Sequence, residues 1–522
     1  MPKLRHRRPV ADGAVLLACL AAAPAAAAAT GPVPGLDPAA LDVMNQPAYA
    51  NGQWLISVRD LSTGESLIAL NADELVEPGS VVKTYSMGAG WLQFGPDHRV
   101  VTPVKRRGRV AGGRLEGDLI LVGKGDMTMG GRTKPDRTVD FTNLDHNDAN
   151  PLPGATLTPE DPLAGLDELA EQVRASGVRR VAGDVIVDDR LWETFELEPN
   201  GPVTPIVINQ NLIDLTTTPT RAGRAARIVM SPKVAPWRVV NRVKTVAAGG
   251  RTQIIPSSPR HGEVLLKGTI AADADPALKT WDFDDPARFA RTAFIEALER
   301  AGVQVQADPV AVNPQRRLGP QRKVSALPAV ARLRSLPLRE EATYVLKVSY
   351  NRGAQTMICR LAVVAGSTDC RAGLAKAAKL WRAAGLDTDG AMLIDGSGLP
   401  GNLITPDNQV QLQTIMGRRP DAAAWQSTLP IIGVDGSLAE VQKGGPATGK
   451  IFAKTGTLAA GNFFNDQILF PAKALGGYMD AKSGRRLAFT IVAANSVFAT
   501  VEGAFEANDD VGKVATIIQQ SL

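Results

Sequence analysis

Strand-forming segments lie at the two ends of the 522-residue chain, and this placement constrains its fold more than any other feature. Near the start, residues 54–60 and 65–71 flank Ser62-Thr63-Gly64, a pattern that predicts a β-hairpin. Near the end, strands are predicted over residues 449–457, 466–470 or 475–479, and 487–495. Because a strand needs a hydrogen-bonded neighbour, we expect both ends to pair in one antiparallel sheet, with the middle of the chain inserted between them.

The middle of the chain predicts a large, mostly β insertion over residues 104–333, with about two subdomains. Helical spacing is clear only over residues 164–176 and 286–301, which glycines terminate. The segment 126–160 is rich in Pro, Asp, Asn and Thr and predicts a long loop. The predicted strands are short apolar runs at 104–110, 119–122, 185–188, 206–208, 226–230 and 264–270.

Helices are predicted on both sides of this insertion. Pro78 ahead of Ser80 marks the start of a helix that runs through Trp91. After Pro337, helical spacing predicts helices over 339–347, 354–365, 371–384 and 406–417. Residues 30–103 and 334–522 are therefore expected to form one domain around the inserted region.

The first 29 residues have the pattern of a secretory signal peptide: a basic stretch, an apolar run from Ala14, then small residues up to Ala29. Leu16-Leu17-Ala18-Cys19 alternatively fits a lipoprotein cleavage site, although Cys19 lies inside the apolar run. No later stretch reaches 18 apolar residues. We therefore expect an exported, periplasmic protein without a stable membrane span.

Charge and composition argue against a nucleic-acid partner. Four basic residues against one Asp at the N-terminus carry three of the five net positive charges, which leaves 54 basic and 52 acidic residues elsewhere. So small a net charge steers no polyanion, and only 5% of the residues are aromatic and able to stack on bases.

Export permits disulfide formation, and Cys359 and Cys370 are the only cysteines beyond the signal pattern. Eleven residues apart, they can close a small loop; two free buried thiols are the alternative. A structural disulfide is the favoured interpretation.

The chain has only four histidines, and none lies in a motif or at metal-ligand spacing, so neither a metal nor another cofactor is expected. Lysine is the alternative base. Ser80-Val-Val-Lys83 is the only Ser-x-x-Lys, and on a helix its amine can reach the hydroxyl. The helix N-terminus would stabilise an alkoxide, and the Ser80 N–H would serve as an oxyanion donor. Taken alone, the motif is better explained by a helix cap followed by a solvated lysine.

Two further motifs follow. The second motif is Ser349-Tyr350-Asn351, the only Ser-x-Asn in the sequence. The side chains of Ser349 and Asn351 can point the same way only if the helix is interrupted between them. The predicted end of a helix near Val348 favours such a break. Lys454-Thr455-Gly456-Thr457 continues a predicted strand. Its glycine would let a substrate backbone pair with the strand, its lysine would bind a carboxylate, and Thr457 would be the second oxyanion donor. In isolation, an interhelical turn explains the Ser-x-Asn better than a binding role does.

The three motifs, in this order and each on the expected element, resemble those of the penicillin-recognising serine acyltransferases. The gap of 269 residues between the first two narrows the resemblance to class C low-molecular-mass penicillin-binding proteins, the D-alanyl-D-alanine carboxypeptidase/endopeptidase family. It implies an α+β fold: a β-lactamase-like transpeptidase domain, with an antiparallel sheet and helices on both faces, plus the β-rich insertion. Similar segments span Leu115 to Asp126, Val181 to Asp188, Ile394 to Leu399 and Leu429 to Leu438.

The resemblance implies acyl transfer. Ser80 would attack a D-alanyl carbonyl, with Lys83 as the base, its pKa lowered by desolvation and by the cation of Lys454. Ser349 would relay a proton to the departing amine. Peptidoglycan stem peptides are the implied substrates and β-lactams the implied inhibitors.

The resemblance also implies a binding role for other residues. Asn351 would hold the substrate amide, and Lys454 with Thr455 the terminal carboxylate. Asp188 would face the cleft and bind a side-chain amine of the stem peptide, or simply end a hairpin. Departures from the family pattern bear on substrate choice: Gly79 for Ala, Tyr350 for Asp, Arg352 at the start of a usually more acidic helix, Met127 for Pro, and an apolar insertion within 459–475.

Two other functions stay open. One is a β-lactamase or esterase of the same fold, which the large insertion disfavours. The other is a non-catalytic peptidoglycan-binding protein. The complete set of reacting residues argues against it, but the altered sequence around Asn351 is compatible with it.

Overall fold

The computed structural model describes residues 32–522, so the predicted signal peptide and Cys19 lie outside the described residues. Its strands are β1 (Gln53–Asp60), β2 (Ser66–Leu70), β3 (Val101–Ala111), β4 (Arg114–Val122), β5 (Arg180–Val181), β6 (Val185–Asp188), β7 (Phe195–Glu196), β8 (Pro202–Val203), β9 (Leu212–Thr218), β10 (Arg227–Ser231), β11 (Arg238–Val246), β12 (Gln253–Arg260), β13 (Glu263–Ala271), β14 (Ala277–Asp282), β15 (Gln304–Val305), β16 (Ala329–Arg334), β17 (Ala391–Met392), β18 (Leu403–Ile404), β19 (Ile451–Asn462), β20 (Gln467–Asp480) and β21 (Arg486–Phe498). Its helices are α1 (Pro38–Met44), α2 (Lys83–Phe94), α3 (Ala164–Ala175), α4 (Pro286–Arg300), α5 (Gln321–Ser325), α6 (Leu338–Lys347), α7 (Asn351–Val364), α8 (Arg371–Ala383), α9 (Pro406–Gly417), α10 (Ala422–Ser427) and α11 (Gly503–Ser521).

The two ends of the chain form one antiparallel sheet, as predicted. Its strand order is β19-β20-β21-β1-β2, so the N-terminal hairpin lies beside the three C-terminal strands. Strand β1 joins them, with Ile56 opposite Ile491 in the register. Residues 466–470 and 475–479, predicted as alternatives for the second C-terminal strand, belong almost entirely to one continuous strand of 14 residues, β20.

Helices cover both faces of this sheet. On one face, α1 and α11 pack with inward residues such as Ile56 and Ile491. On the other, α2, α7 and α9 form a second core that includes Leu55 and Val492, their immediate chain neighbours, because alternate residues of a strand face opposite sides. The three C-terminal strands are not the last elements of the chain, because the 19-residue α11 follows β21.

The insertion leaves and returns through adjacent strands. Strand β3 pairs antiparallel with β16, with Val104 opposite Ala331, in a six-stranded sheet that also holds β4, β5, β6 and β15. Two three-stranded sheets, β10-β9-β14 and β11-β13-β12, share a continuous core with it and with α3 and α4.

Two predictions in the insertion have opposite outcomes. The long loop over 126–160 is confirmed, since it contains only one 3-10 turn, His146–Asp148, among its regular elements. The strand over 206–208 is wrong: these residues are buried but unpaired. An apolar run reports burial rather than pairing, and the positive φ angles at Asn209, Gln210 and Asn211 turn the chain directly afterwards.

Candidate active site

Ser80 lies on a 3-10 turn, Gly79–Val82, that passes into α2 at Lys83, one turn later than the predicted α-helix start. Gly79 has a φ of +54°, and a Cβ added there would lie 2.8 Å from the backbone nitrogen of Thr457. This left-handed conformation and close approach disfavour the alanine that the family usually carries. They also place the Thr457 N–H beside the Ser80 turn.

Lys83 is completely buried behind Ser80. Its Nζ lies 2.6 Å from the Oγ of Ser80 and donates to the carbonyl of Ser397 at 2.8 Å. Burial lowers the pKa of this amine to about 7, against the opposing charges of Asp395 and Asp148. The amine is therefore poised to lose its proton near neutral pH.

The Ser-x-Asn residues lie at a break between helices, as expected. Ser349 adopts a positive φ of +60° between α6 and α7, and Asn351 opens α7, three residues before the predicted start. Tyr350 between them points into the protein core, where it is 2% exposed. The Ser349 Oγ accepts a hydrogen bond from the Nζ of Lys454 at 3.0 Å, so the second and third motifs are in direct contact.

The amine of Lys454 is held on strand β19, which lies at the edge of the sheet. Besides Ser349, it donates to the carbonyl of Thr455 at 2.8 Å. Burial lowers the pKa of Lys454 well below its ordinary value, and the charges of Lys83 and Lys473 lower it further. The repulsion expected between the two motif lysines thus depresses the pKa of Lys454, while burial accounts for the low pKa of Lys83.

Gly456 has a structural role in the fold in addition to the substrate-binding role predicted for it. A Cβ on this residue would clash with the carbonyl of Pro78, immediately ahead of the nucleophile turn. The glycine therefore lets strand β19 approach the Ser80 turn closely. This gives the Lys-Thr-Gly motif a structural reason that the sequence alone did not suggest.

Asn351 and Arg352 connect the site to the insertion. The Nδ2 of Asn351 donates to the Oδ1 of Asn200 at 2.9 Å. The guanidinium of Arg352 donates to the backbone carbonyls of Asn200 and Gln210 and forms an ion pair with Asp282. The departure at Arg352 is thus explained by its contacts with the insertion.

The long loop brings an acid into the cleft that no motif marked. Asp148 lines both the cavity of about 720 Å³ that contains Ser349 and the neighbouring one of about 380 Å³ that contains Asn351. Burial raises the pKa of Asp148 to about 7, although the charges of Lys454 and Lys83 oppose this. The only sequence signal was its position in an Asp- and Asn-rich loop.

Two further polar residues lie beside the motif residues without belonging to a motif. The Oγ of Ser437 lies 2.7 Å from the Oγ1 of Thr455. Lys473 lies opposite Thr457 on the adjacent strand β20 and donates to its Oγ1 at 2.8 Å. Both line the cavity that contains Ser349.

Asp188 is not brought to this cluster. Its carboxylate, at the end of β6, forms a two-pronged ion pair with Arg190, with contacts of 2.7 and 2.9 Å. It lines a separate cavity of about 260 Å³ together with Lys105 and Lys124. The neighbouring guanidinium already satisfies this carboxylate. The cavity that contains Ser349 is instead lined by Asp148, together with Glu440, Glu506, Asp509 and Asp510.

Other sequence features lie around the site. Cys359 and Cys370 are joined by a disulfide between α7 and the start of α8. Met127 is buried in the core beneath α2. The apolar insertion within 459–475 extends β19 and β20 into a long hairpin, at whose tip Phe463 and Phe464 are 97% and 96% exposed.

Within residues 32–522, no group of three or more His, Cys, Asp or Glu side chains is arranged to hold a metal ion. No helix in the same part of the chain has the length and apolar content needed to span a membrane.

Comparison with known proteins agrees with this geometry. A curated D-alanyl-D-alanine carboxypeptidase from Actinomadura sp. is 29% identical over 481 residues, covering 86% of this chain and 79% of the relative. Carboxypeptidase DacB from Mycolicibacterium smegmatis is 25% identical, covering 84% and 76%. The fold matches the crystal structure of penicillin-binding protein 4 from Haemophilus influenzae with a TM-score of 0.68 at 17% identity, covering 90% and 97%.

One protein family matches almost the whole described part of the chain, not only the three motifs. Residues 39–511 match the D-Ala-D-Ala carboxypeptidase 3 (S13) family, a range that includes all three motifs and the whole insertion. The chain therefore belongs to the D-Ala-D-Ala carboxypeptidase 3 (S13) family and is a serine peptidase.

Proposed function

We propose that this peptidase hydrolyses the D-alanyl-D-alanine bond of peptidoglycan stem peptides, or a D-alanyl cross-link between them, through an acyl-enzyme on Ser80. The observation that carries the proposal is the 2.6 Å contact between the Ser80 hydroxyl and the fully buried amine of Lys83. The Actinomadura relative is a D-alanyl-D-alanine carboxypeptidase, which supports this choice of substrate.

In the first step, Ser80 Oγ attacks the carbonyl carbon and its proton passes to neutral Lys83. A pKa of about 7 leaves much of the lysine population neutral at physiological pH, which a general base requires. The negative charge that develops on the carbonyl oxygen is stabilised by the backbone N–H groups of Ser80 and Thr457, which the Gly79 turn brings close together.

In the second step, the carbon–nitrogen bond breaks, and the proton that Lys83 took from Ser80 passes through the Ser349 hydroxyl to the departing amine, which leaves Lys83 neutral again. The hydrogen bond from Lys454 holds this hydroxyl in the cleft. Water then attacks the Ser80 ester and gives a proton to Lys83, which passes it to the Ser80 Oγ as the bond to the acyl carbon breaks and the shortened peptide leaves. Atoms and charges are restored, and no cofactor takes part in the cycle.

Substrate binding follows from the neighbouring groups. Asn351 holds the amide of the donor peptide, while the terminal carboxylate lies near Lys454 and Thr455. β-Lactams reproduce the D-alanyl-D-alanine group and acylate Ser80, but their ring fragment remains attached and the ester is released slowly. Export to the periplasm, supported by the N-terminal pattern, brings the enzyme to this substrate.

Intact-protein mass spectrometry after incubation with benzylpenicillin tests this function. The wild-type protein should gain one penicilloyl group and Ser80→Ala none. Ser66→Ala, which removes an exposed hydroxyl on β2, is the matched control and should be acylated like the wild type.

The same experiment separates the alternatives. Rapid turnover of benzylpenicillin without a lasting adduct would instead indicate a β-lactamase. An unmodified, folded wild-type protein with intact penicillin would contradict the proposal and favour a non-catalytic wall-binding protein.

A further inference from the structure

A second buried lysine lies in the cleft beside the motif residues, and the mechanism above does not use it. Lys473 is 4% exposed and lies on β20 directly opposite Thr457. Residues opposite each other in an antiparallel pair share one face of the sheet, so its side chain extends along the same face as that of Thr457. It lines the cavity of about 720 Å³ that also contains Ser349 and Thr455.

Within the part of the chain that the structure describes, the ammonium group of Lys473 has no carboxylate in contact with it, as a buried cation normally would. Its hydrogen bond is to the neutral hydroxyl of Thr457, at 2.8 Å, and no carboxylate lies within ion-pair distance of it in the described part of the chain. Burial lowers its pKa to about 7. A buried lysine without a counter-ion costs stability, so a ligand that supplies the anion is the simplest reason for its position.

The hydroxyl groups around Lys473 suit a carboxylate. Ser437 Oγ and Thr455 Oγ1 lie 2.7 Å apart and line the same cavity. Lys454 already donates to Ser349 and to the Thr455 carbonyl, which orients it toward the proton-relay serine. Lys473, in contrast to Lys454, hydrogen-bonds only to the Thr457 hydroxyl among the described residues, so its amine can still bind a ligand carboxylate.

We propose that Lys473 binds the α-carboxylate on the leaving side of the scissile bond, together with the hydroxyls of Thr455 and Ser437. This rests on the proposed function and adds a specificity-determining residue to it. Lys473 would then make the enzyme select peptides, and β-lactams, that carry a free carboxylate at this position.

The test compares one acyl-D-Ala-D-Ala peptide with the same peptide ending in a carboxamide, using the full chain. Lys473→Met removes the charge and keeps most of the alkyl stem, Lys473→Gln is a second neutral variant should the first not fold, and Lys473→Arg keeps the charge. The wild type should prefer the acid. The neutral variants should lose roughly 10- to 100-fold in kcat/KM for the acid, mainly through KM, and little for the amide, while Lys473→Arg should retain the preference.

Two results would overturn the proposal: a wild type without preference for the acid, or neutral variants whose acid-to-amide ratio equals that of the wild type. Penicilloylation of Ser80, measured on the same samples, distinguishes this failure from failure of the proposed function. If the wild type is acylated and only the selectivity prediction fails, the acyl-enzyme mechanism stands and the assignment of Lys473 is wrong.

Discussion

The low pKa of Lys83 predicts a specific pH dependence of acylation. A lysine with its ordinary pKa of 10.5 would be almost entirely protonated at neutral pH, whereas burial lowers the pKa of Lys83 to about 7. This difference corresponds to roughly 5 kcal/mol of destabilisation of the ammonium form, at about 1.4 kcal/mol per pH unit. The amine is fully buried and, among residues 32–522, has only the Ser80 hydroxyl and the Ser397 carbonyl as hydrogen-bond partners. This burial is the physical source of that energy.

In the proposed mechanism only the neutral amine of Lys83 accepts the Ser80 proton, so the acylation rate should follow the deprotonated fraction of Lys83. From about pH 5 to about pH 8, the second-order rate constant should rise roughly 100-fold and level off, with its midpoint near the pKa of about 7. The assay is the rate of labelling by a fluorescent penicillin, quenched at intervals and measured on denaturing gels, with Ser80→Ala as the unlabelled control.

A rate that keeps rising tenfold per pH unit beyond about pH 8 would indicate a lysine with an ordinary pKa and refute this reasoning. Asp148→Asn provides a second check. The charge of Asp148 favours the ammonium form of Lys83, so its removal should move the midpoint to lower pH. A midpoint that moves upward would contradict the electrostatic role assigned to Asp148.

Two further predictions concern stability. Asp148→Asn should raise the melting temperature, and its advantage over the wild type should grow between about pH 4 and about pH 7. The pKa of Asp148 is higher in the folded protein than in the unfolded chain, so across this pH range the carboxyl ionises in the unfolded chain first and the wild type loses stability as the pH rises. An equal rise in melting temperature at about pH 4 and about pH 7 would contradict this. Replacing Cys359 and Cys370 together by Ala should lower the free energy of unfolding in urea by about 3 kcal/mol, the value expected for a loop as short as the one they close. Penicillin acylation should not change. An unchanged urea midpoint would show that the disulfide does not stabilise the fold.

Much of the fold was predictable because its signals are local. Helices α3, α4, α6, α8 and α9 begin and end within one or two residues of the predicted bounds, since proline, glycine and apolar spacing act within a few residues of one another. Helix α11 has the same kind of signal, with Ala504, Ala507, Val511 and Ile518 buried at helical spacing. No predicted element covers residues 503–521, although this spacing indicates a helix.

The three motifs were predictable as a set, because their order and elements are properties of the chain. The contacts that make them a site were not. Lys83 lies near Ser80 by helical spacing, but the bond from Lys454 to Ser349 joins residues 105 positions apart. The reason for Gly456 likewise depends on Pro78 in another part of the chain.

The sequence by itself therefore determined the candidate reacting groups, the order of the motifs and the pairing of the chain ends in one sheet. Only the tertiary structure decided which other charges share the cleft: it brings in Asp148 from the long loop and Lys473 from the neighbouring strand, and it leaves Asp188 paired with Arg190 elsewhere. The physical reason is that apolar spacing and turn residues act over a few positions. Burial, ion pairing and the pKa shifts that follow depend on packing between segments that are distant in sequence.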